Sequence, residues 1–424
     1  MSDNHYKYVL VGGGLTSGSA AAAIRKRDPQ GSILLVGQEV NRPYHRPRLD
    51  NEYLKRECDR TAILVEPADW FVQHRIDLST GHRAAHLDTP RRTVTLDSGE
   101  EVAFDTLLLA TGASAKPLAI PGGNLPNVFT LRTIDDADRL HHAIEKAKSE
   151  GQRHERGRGV VAIVGGGVLG LELTTTFTQL GLAVELIVGA AYPWRKFVGE
   201  YTGKVIANHL TKSNVRLHLG HRPQQVEGDG RVQRVVLSDG TTIPCDFLVA
   251  AIGAQPNKDI LRGTTITAEK AILVDEHCQT NLPGIFAAGD CAAIFDPLFG
   301  KHRLIDHWEN ARISGEIAGA NMAGDPIAYN VVNRFRCCAF DLELIGWGES
   351  RLVDRRHIRA NPNSETPDFV EIGVAADGRV VQVLAIGHAS DHDVLESLVK
   401  QRANVDGNEE SLKDPTRPLS EFLA

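Results

Sequence analysis

The chain has 424 residues, which at ~100–200 residues per domain makes room for two or three domains. Its 47 basic and 54 acidic side chains sum to −7, so it lacks the cationic footprint of a nucleic-acid binder. An apolar content of 42% without long charge blocks excludes a disordered chain. Forty glycines exceed the average usage of ~7% with no collagen-like period, so their positions carry the information.

Residues 1–8 have neither a basic n-region nor an uninterrupted apolar run, and no later stretch approaches the ~18–20 apolar residues of a membrane helix. A soluble, cytoplasmic protein with no membrane or nucleic-acid partner is expected. The six cysteines, Cys58, Cys245, Cys278, Cys291, Cys337 and Cys338, contain no Cys-x-x-Cys and read as reduced thiols.

In chain order, residues 8–11 read as a strand, Gly12-Gly-Gly14 as a turn, residues 16–26 as an Ala-rich helix and residues 32–36 as a second strand. The same grammar returns at residue 160: strand 160–164, turn Gly165-Gly-Gly167, helix 168–180 stopped by Gly181, strand 183–188. A second echo shows that the repetition is a duplication. Residues 94–113 align without gaps on residues 235–254 with eight of twenty positions identical, each copy reading as a hairpin with a Gly turn (Gly99, Gly240) and an apolar strand ending in Gly112 or Gly253. After Gly324-Asp-Pro326 the pattern changes to short strands around 337–347, 369–375 and 380–386 and a helix over about 391–402, an α+β grouping.

A glycine turn that opens a helix lets the backbone approach a pyrophosphate and aims free helix N-terminal amides at it. Gly165-x-Gly167-x-x-Gly170 is a complete turn of this kind; the first copy keeps Gly12 and Gly14 but has Ser17 in third place. The ribose is read at the end of the second strand, where the first copy offers Gln38 or Glu39. The second copy has Gly189 there, followed by Arg195 and Lys196; loss of the acidic residue together with nearby cations favours NADPH over NADH. Two dinucleotide sites in one chain imply a redox relay in which a nicotinamide gives hydride to a flavin.

The segments Val9-Leu-Val-Gly-Gly-Gly14, Asn41-Arg-Pro-Tyr-His-Arg-Pro-Arg-Leu49, Leu109-Ala-Thr-Gly-Ala113, residues 160–172, Ile285-Phe-Ala-Ala-Gly-Asp290 and His307-Trp-Glu-Asn-Ala311 resemble the FAD-dependent pyridine nucleotide oxidoreductases, within them the ferredoxin/rubredoxin reductase and apoptosis-inducing-factor-like group. The resemblance spans nearly the whole chain. It implies an α/β fold with two Rossmann-like domains of glutathione-reductase type and a C-terminal α+β domain. Residues 1–114 with 255–325 would bind FAD, residues 115–254 NAD(P)H, and residues 326–424 would form the last domain, through which a homodimer is a family-level expectation.

Carried over residue by residue, the resemblance assigns Gly12, Gly14 and Ser17 to the FAD pyrophosphate and Gln38 or Glu39 to its ribose. Arg46 would reach the phosphates, Ala84 the adenine, Ala110, Thr111 and Gly112 the cofactor wall, and Asp290 the ribityl chain. Trp308 would lie by the isoalloxazine, and Arg132 is a further cofactor contact or a structural ion pair. Gly165, Gly167 and Gly170 would hold the nicotinamide dinucleotide, with Glu172 beside the nicotinamide and Gly253 closing the pocket.

Two departures stand out. Relatives read Arg-Pro-Pro-Leu-Ser-Lys where this chain has Arg46-Pro-Arg-Leu-Asp-Asn51, so Asn51 takes the place of the lysine that pairs with the glutamate; an amide can hydrogen-bond Glu172 but cannot neutralise it. Where relatives have Phe-Trp-Ser-Asp, this chain has Phe335-Arg-Cys-Cys338, which raises a redox role for the two thiols against simple packing on opposite strand faces. The pairs His82/His86 and His388/His392 lack a third ligand, so no metal is expected. The expected activity is transfer of electrons from NAD(P)H through FAD to a ferredoxin or rubredoxin, docked on a locally basic face for which Arg334, Arg336, Arg351, Arg355 and Arg356 are candidates. An oxidase or quinone-type reductase, and a flavin redox sensor of low turnover, remain open.

Overall fold

The computed structural model describes residues 4–150, 157–360, 367–387 and 391–423. Two compact units emerge: Met1–Arg48, Cys58–Ser114 and Ala254–Val331 form one, and Leu49–Glu57, Ala115–Gly253 and Val332–Ala424 the other.

The first unit is built on a parallel sheet in the order Ile76–Thr80, Ile33–Gly37, His5–Val11, Glu101–Leu109, Ile285–Ala287. Val9, Leu10 and Val11 are buried in succession, as expected of a parallel strand covered on both faces. An antiparallel pair, Thr93–Leu96 and Ala84–Asp88, extends from Glu101–Leu109. The helices Leu15–Arg27 and Trp308–Met322 cross closely because the contact is made by small residues. A Cβ at Gly315 or Gly319 would strike the backbone of Thr16 or Ala20.

The second unit repeats the scheme with a parallel sheet, Arg216–Leu219, Ala183–Val188, Val160–Val164, Phe247–Ala250 and Val128–Phe129. The duplicated hairpins differ in one respect. Glu101–Leu109 is continuous, whereas its counterpart is split into Thr242–Pro244 and Phe247–Ala250, since Pro244 has no N–H to continue a ladder.

The remainder of this unit is a five-stranded antiparallel sheet, Arg334–Ala339, Leu342–Gly348, Val380–Ile386, Phe369–Val374 and Arg355–Ala360, with the helix His392–Lys400. The strand expected over 337–347 is a hairpin turned at Phe340, which has φ +58°. Arg355–Ala360 was not anticipated, because its charged sequence carries no apolar alternation; such side chains suit the sheet edge where it lies. Inside this unit the buried Glu371 accepts the Gly199 N–H at 2.8 Å, the Thr202 hydroxyl and Arg356, tying the start of the helix Glu200–Lys212 to the antiparallel sheet. Among the described residues no helix is long and apolar enough to cross a membrane.

Candidate active site

In the first unit, Gly12 has φ +129° and no room for a side chain, because a Cβ would run into the Ala110 carbonyl. The turn is thereby held against the end of the neighbouring strand. Gly14 caps the helix Leu15–Arg27 without any side-chain hydrogen bond and faces open space, leaving its first N–H groups available to an anion. Ser17, on the first turn of that helix, is 0% exposed and its Oγ has no partner. An open cradle beside an unpartnered hydroxyl fits a pyrophosphate.

Of the two ribose candidates, Gln38 is exposed, whereas Glu39 is already engaged. Glu39 accepts from Arg46 Nη2 and from the Tyr44 hydroxyl, both at 2.6 Å, and Arg46 Nη1 donates to the Tyr44 oxygen at 2.8 Å. Arg46, expected to reach phosphates, is therefore clamped by this pair. Against the cost of burial, Tyr44, Glu39 and Asp290 raise its pKa.

Ala84 is buried at the head of its strand, and Ala110 is buried where Glu101–Leu109 ends. Beyond it Thr111 donates to the Asn257 carbonyl at 2.6 Å, the Asn257 side chain donates to the Thr111 carbonyl at 3.0 Å, and the Asn257 N–H reaches the Gly112 carbonyl at 2.9 Å. Asn257 thus fastens the end of this strand, a contact that the sequence, where it looked like an ordinary turn residue, did not disclose. Asp290 sits in the turn Gly289–Cys291 after Ile285–Ala287, and the Gly289 N–H is held by Ser314 at 3.1 Å. Trp308 opens its helix 39% exposed, and His307 caps it by accepting the Glu309 N–H through Nδ1 at 3.4 Å.

In the second unit, Gly165 has φ +119°, and a Cβ there would meet the Ala251 carbonyl, the same device as at Gly12. Gly167 caps the helix Val168–Gln179 with nothing around it, and Gly170 packs against the Gly165 carbonyl. Gly253 also borders open space. Arg195 and Lys196 are exposed; the cation actually laid over Gly189 is Arg222, whose Cγ comes within 3.0 Å of a Cβ placed there. Sequence spacing could not bring Arg222 to this point, because it arrives from the loop after another strand. Arg132 donates its N–H to Asp136 at 2.9 Å, within the start of the helix Ile134–Glu150.

The partner of Glu172 differs from expectation. Asn51 is exposed, and the side chain hydrogen-bonded to Glu172 is Asp50, which is 5% exposed. The cause is local geometry: residues Leu49–Tyr53 form a π-helical turn in which the Leu54 N–H reaches back five residues to Leu49. Burial, and for Glu172 also the Asp50 charge, push both carboxyls above their ordinary range.

The neighbouring thiols do not form a reactive pair. Cys337 faces the core and Cys338 is half-buried on the opposite strand face. Burial raises both thiols, so neither is a ready thiolate, and all six cysteines are free. Four of the five arginines expected to form a basic face are each paired with a carboxylate: Arg336 with Glu343, Arg351 with Glu349, Arg355 with Glu409 and Arg356 with Glu371. His82 lies 3.5 Å from Asp97, and His388 is outside the described residues.

Residues 6–315 match the family model described as pyridine nucleotide-disulphide oxidoreductase. The chain belongs to this family. It is an FAD-dependent NAD(P)H oxidoreductase. As a pyridine nucleotide-disulphide oxidoreductase it is 30% identical over 419 residues to the ferredoxin–NAD(+) reductase component of a biphenyl dioxygenase system from Paraburkholderia xenovorans, covering 98% of this chain and 97% of that one. It is 29% identical over 427 residues to a ferredoxin–NAD(P)(+) reductase from Sphingomonas, covering 100% and 99%. Among solved structures, a ferredoxin reductase from Rhodopseudomonas palustris matches with TM-score 0.89 at 27% identity over 100% of both chains. A reductase captured in a covalent putidaredoxin reductase–putidaredoxin complex matches with TM-score 0.89 at 25% identity, covering 100% and 98%.

Proposed function

We propose that this flavoenzyme delivers electrons from NAD(P)H to a small ferredoxin-type iron–sulfur protein. The observation that carries the reading is similarity over the full chain length to reductases named for ferredoxins, in a chain that keeps both open glycine turns. Bound FAD would supply the step from a two-electron hydride donor to one-electron delivery. Gly12, Gly14 and Ser17 would hold its pyrophosphate, Asp290 its ribityl chain, and Trp308 would lie against its ring system at a helix N-terminus that favours negative charge. Gly165, Gly167 and Gly170 would hold the nicotinamide dinucleotide, with Glu172 near the nicotinamide.

A 2′-phosphate at Gly189 would meet the Arg222 side chain, so the site accepts NADPH as well as NADH. Six free cysteines suit a reducing, cytoplasmic location.

Anaerobic stopped-flow mixing with NADH or NADPH tests the reading. Rapid flavin bleaching followed by ferredoxin reduction faster than reduction of dioxygen or quinone is the expected result. Failure of either nicotinamide to bleach the flavin would sink it, and preferential turnover of dioxygen or quinone would make the protein an oxidase or quinone reductase instead.

A further inference from the structure

We propose that Asp50 is a positioning residue for the nicotinamide half of the reaction, its carboxyl sharing one proton with that of Glu172 and so holding Glu172 in place. The inference rests on the reading that the open N-terminus of the helix Val168–Gln179 holds the nicotinamide dinucleotide.

Two ionised carboxylates are both acceptors and cannot hydrogen-bond each other; an O–H···O bond between them requires one proton in the pair. The Asp50 and Glu172 carboxyls lie against each other, with Asp50 buried and Glu172 partly exposed. The groups facing the pair are few. The Cys338 N–H donates to Glu172, the Cys337 and Cys338 thiols are neutral, and Arg336 acts only from a distance because it is bonded to Glu343. No cation stands within ion-pair distance of either carboxyl among the described residues. With one proton the pair carries a single negative charge; without it, two like charges face each other and repel.

A lysine would fix the glutamate at any pH up to its own titration. The carboxyl pair does so only while it keeps its proton. The affinity for NAD(P)H therefore depends on a proton that is bound and never consumed. Above the transition, the requirement for one bound proton weakens binding by up to ~tenfold per pH unit.

The test uses the FAD-loaded full chain and compares wild type with Asp50→Asn and Asp50→Ala. Anaerobic reduction by NADH and NADPH is followed from about pH 6 to about pH 10, separating the dissociation constant from the limiting rate. Wild type should lose affinity at alkaline pH with little change in limiting rate. Asp50→Asn can donate an amide N–H to ionised Glu172, so it should bind normally at neutral pH and lose the alkaline limb. Asp50→Ala should bind weakly, by ~tenfold or more, throughout the range. Infrared spectra should show a protonated-carboxyl C=O band in wild type that Asp50→Asn removes, a readout independent of turnover. FAD content equal to wild type and a single cooperative thermal transition would show that the variants fold.

Normal bleaching with a pH-independent dissociation constant, or the carboxyl band persisting in Asp50→Asn, would overturn the proposal and leave the functional reading intact. Absence of bleaching in every variant at every pH would overturn the functional reading and this proposal with it.

Discussion

The Ala110 carbonyl occupies the space that a Cβ on Gly12 would need, so the glycine turn of the first unit is seated against the end of the neighbouring strand with no tolerance for a side chain. Gly12→Ala must move one or the other and must also hold φ +129° with an L side chain, a strain of ~1–3 kcal/mol. The variant is expected to purify with FAD content reduced by more than ~tenfold, read from visible flavin absorbance per polypeptide. FAD content equal to wild type would show that the turn does not form the cradle.

Glu371 offers a separate test of stability. Removing it in Glu371→Ala leaves the Gly199 N–H, the Thr202 hydroxyl and the Arg356 guanidinium without their shared acceptor. The loss should be ~3 kcal/mol in urea unfolding, and Glu371→Gln should lose less because an amide oxygen still accepts. Equal midpoints for wild type and Glu371→Ala would remove the clamp from the account.

The sign of the pH dependence of stability follows from the raised carboxyls. The folded chain keeps a proton at Asp50 and Glu172 that the unfolded chain releases near the ordinary carboxylate range of ~4. Their contribution is complete below that range and is lost as pH rises through the raised folded values. Thermal midpoints measured across the range should therefore show Asp50→Asn gaining on wild type as the solution becomes more alkaline. A constant difference would mean that no proton is linked to folding at this pair.

Cofactor choice can be read at Arg222. Arg222→Ala should lower kcat/KM for NADPH by ~tenfold and leave the value for NADH within ~twofold, because only the 2′-phosphate uses the guanidinium. Equal losses for both cofactors would assign Arg222 to packing on Gly189. If Arg195→Ala produced the selective loss instead, the exposed cation nearer in sequence would be the reader.

Much of the fold was legible because its signals are local. Strand, glycine turn and helix follow one another within some thirty residues, and the hydrophobic run of a buried parallel strand needs no distant partner to be recognised. The duplication was legible for the same reason. The charged edge strand Arg355–Ala360 was not, since an edge position is a property of the sheet and leaves no apolar alternation in the segment.

By itself the sequence determined the α/β class, the two pyrophosphate-type turns and the family to which they belong, all features written in short-range spacing. Tertiary structure decided which side chains meet. A single π-helical turn sends Asp50 to Glu172 and leaves Asn51 in solvent; a loop from another strand lays Arg222 over Gly189; and Glu39, free in the sequence, is claimed by Arg46 and Tyr44. Side-chain direction depends on backbone winding and on chain segments distant in sequence, so these pairings appear only when the chain is folded.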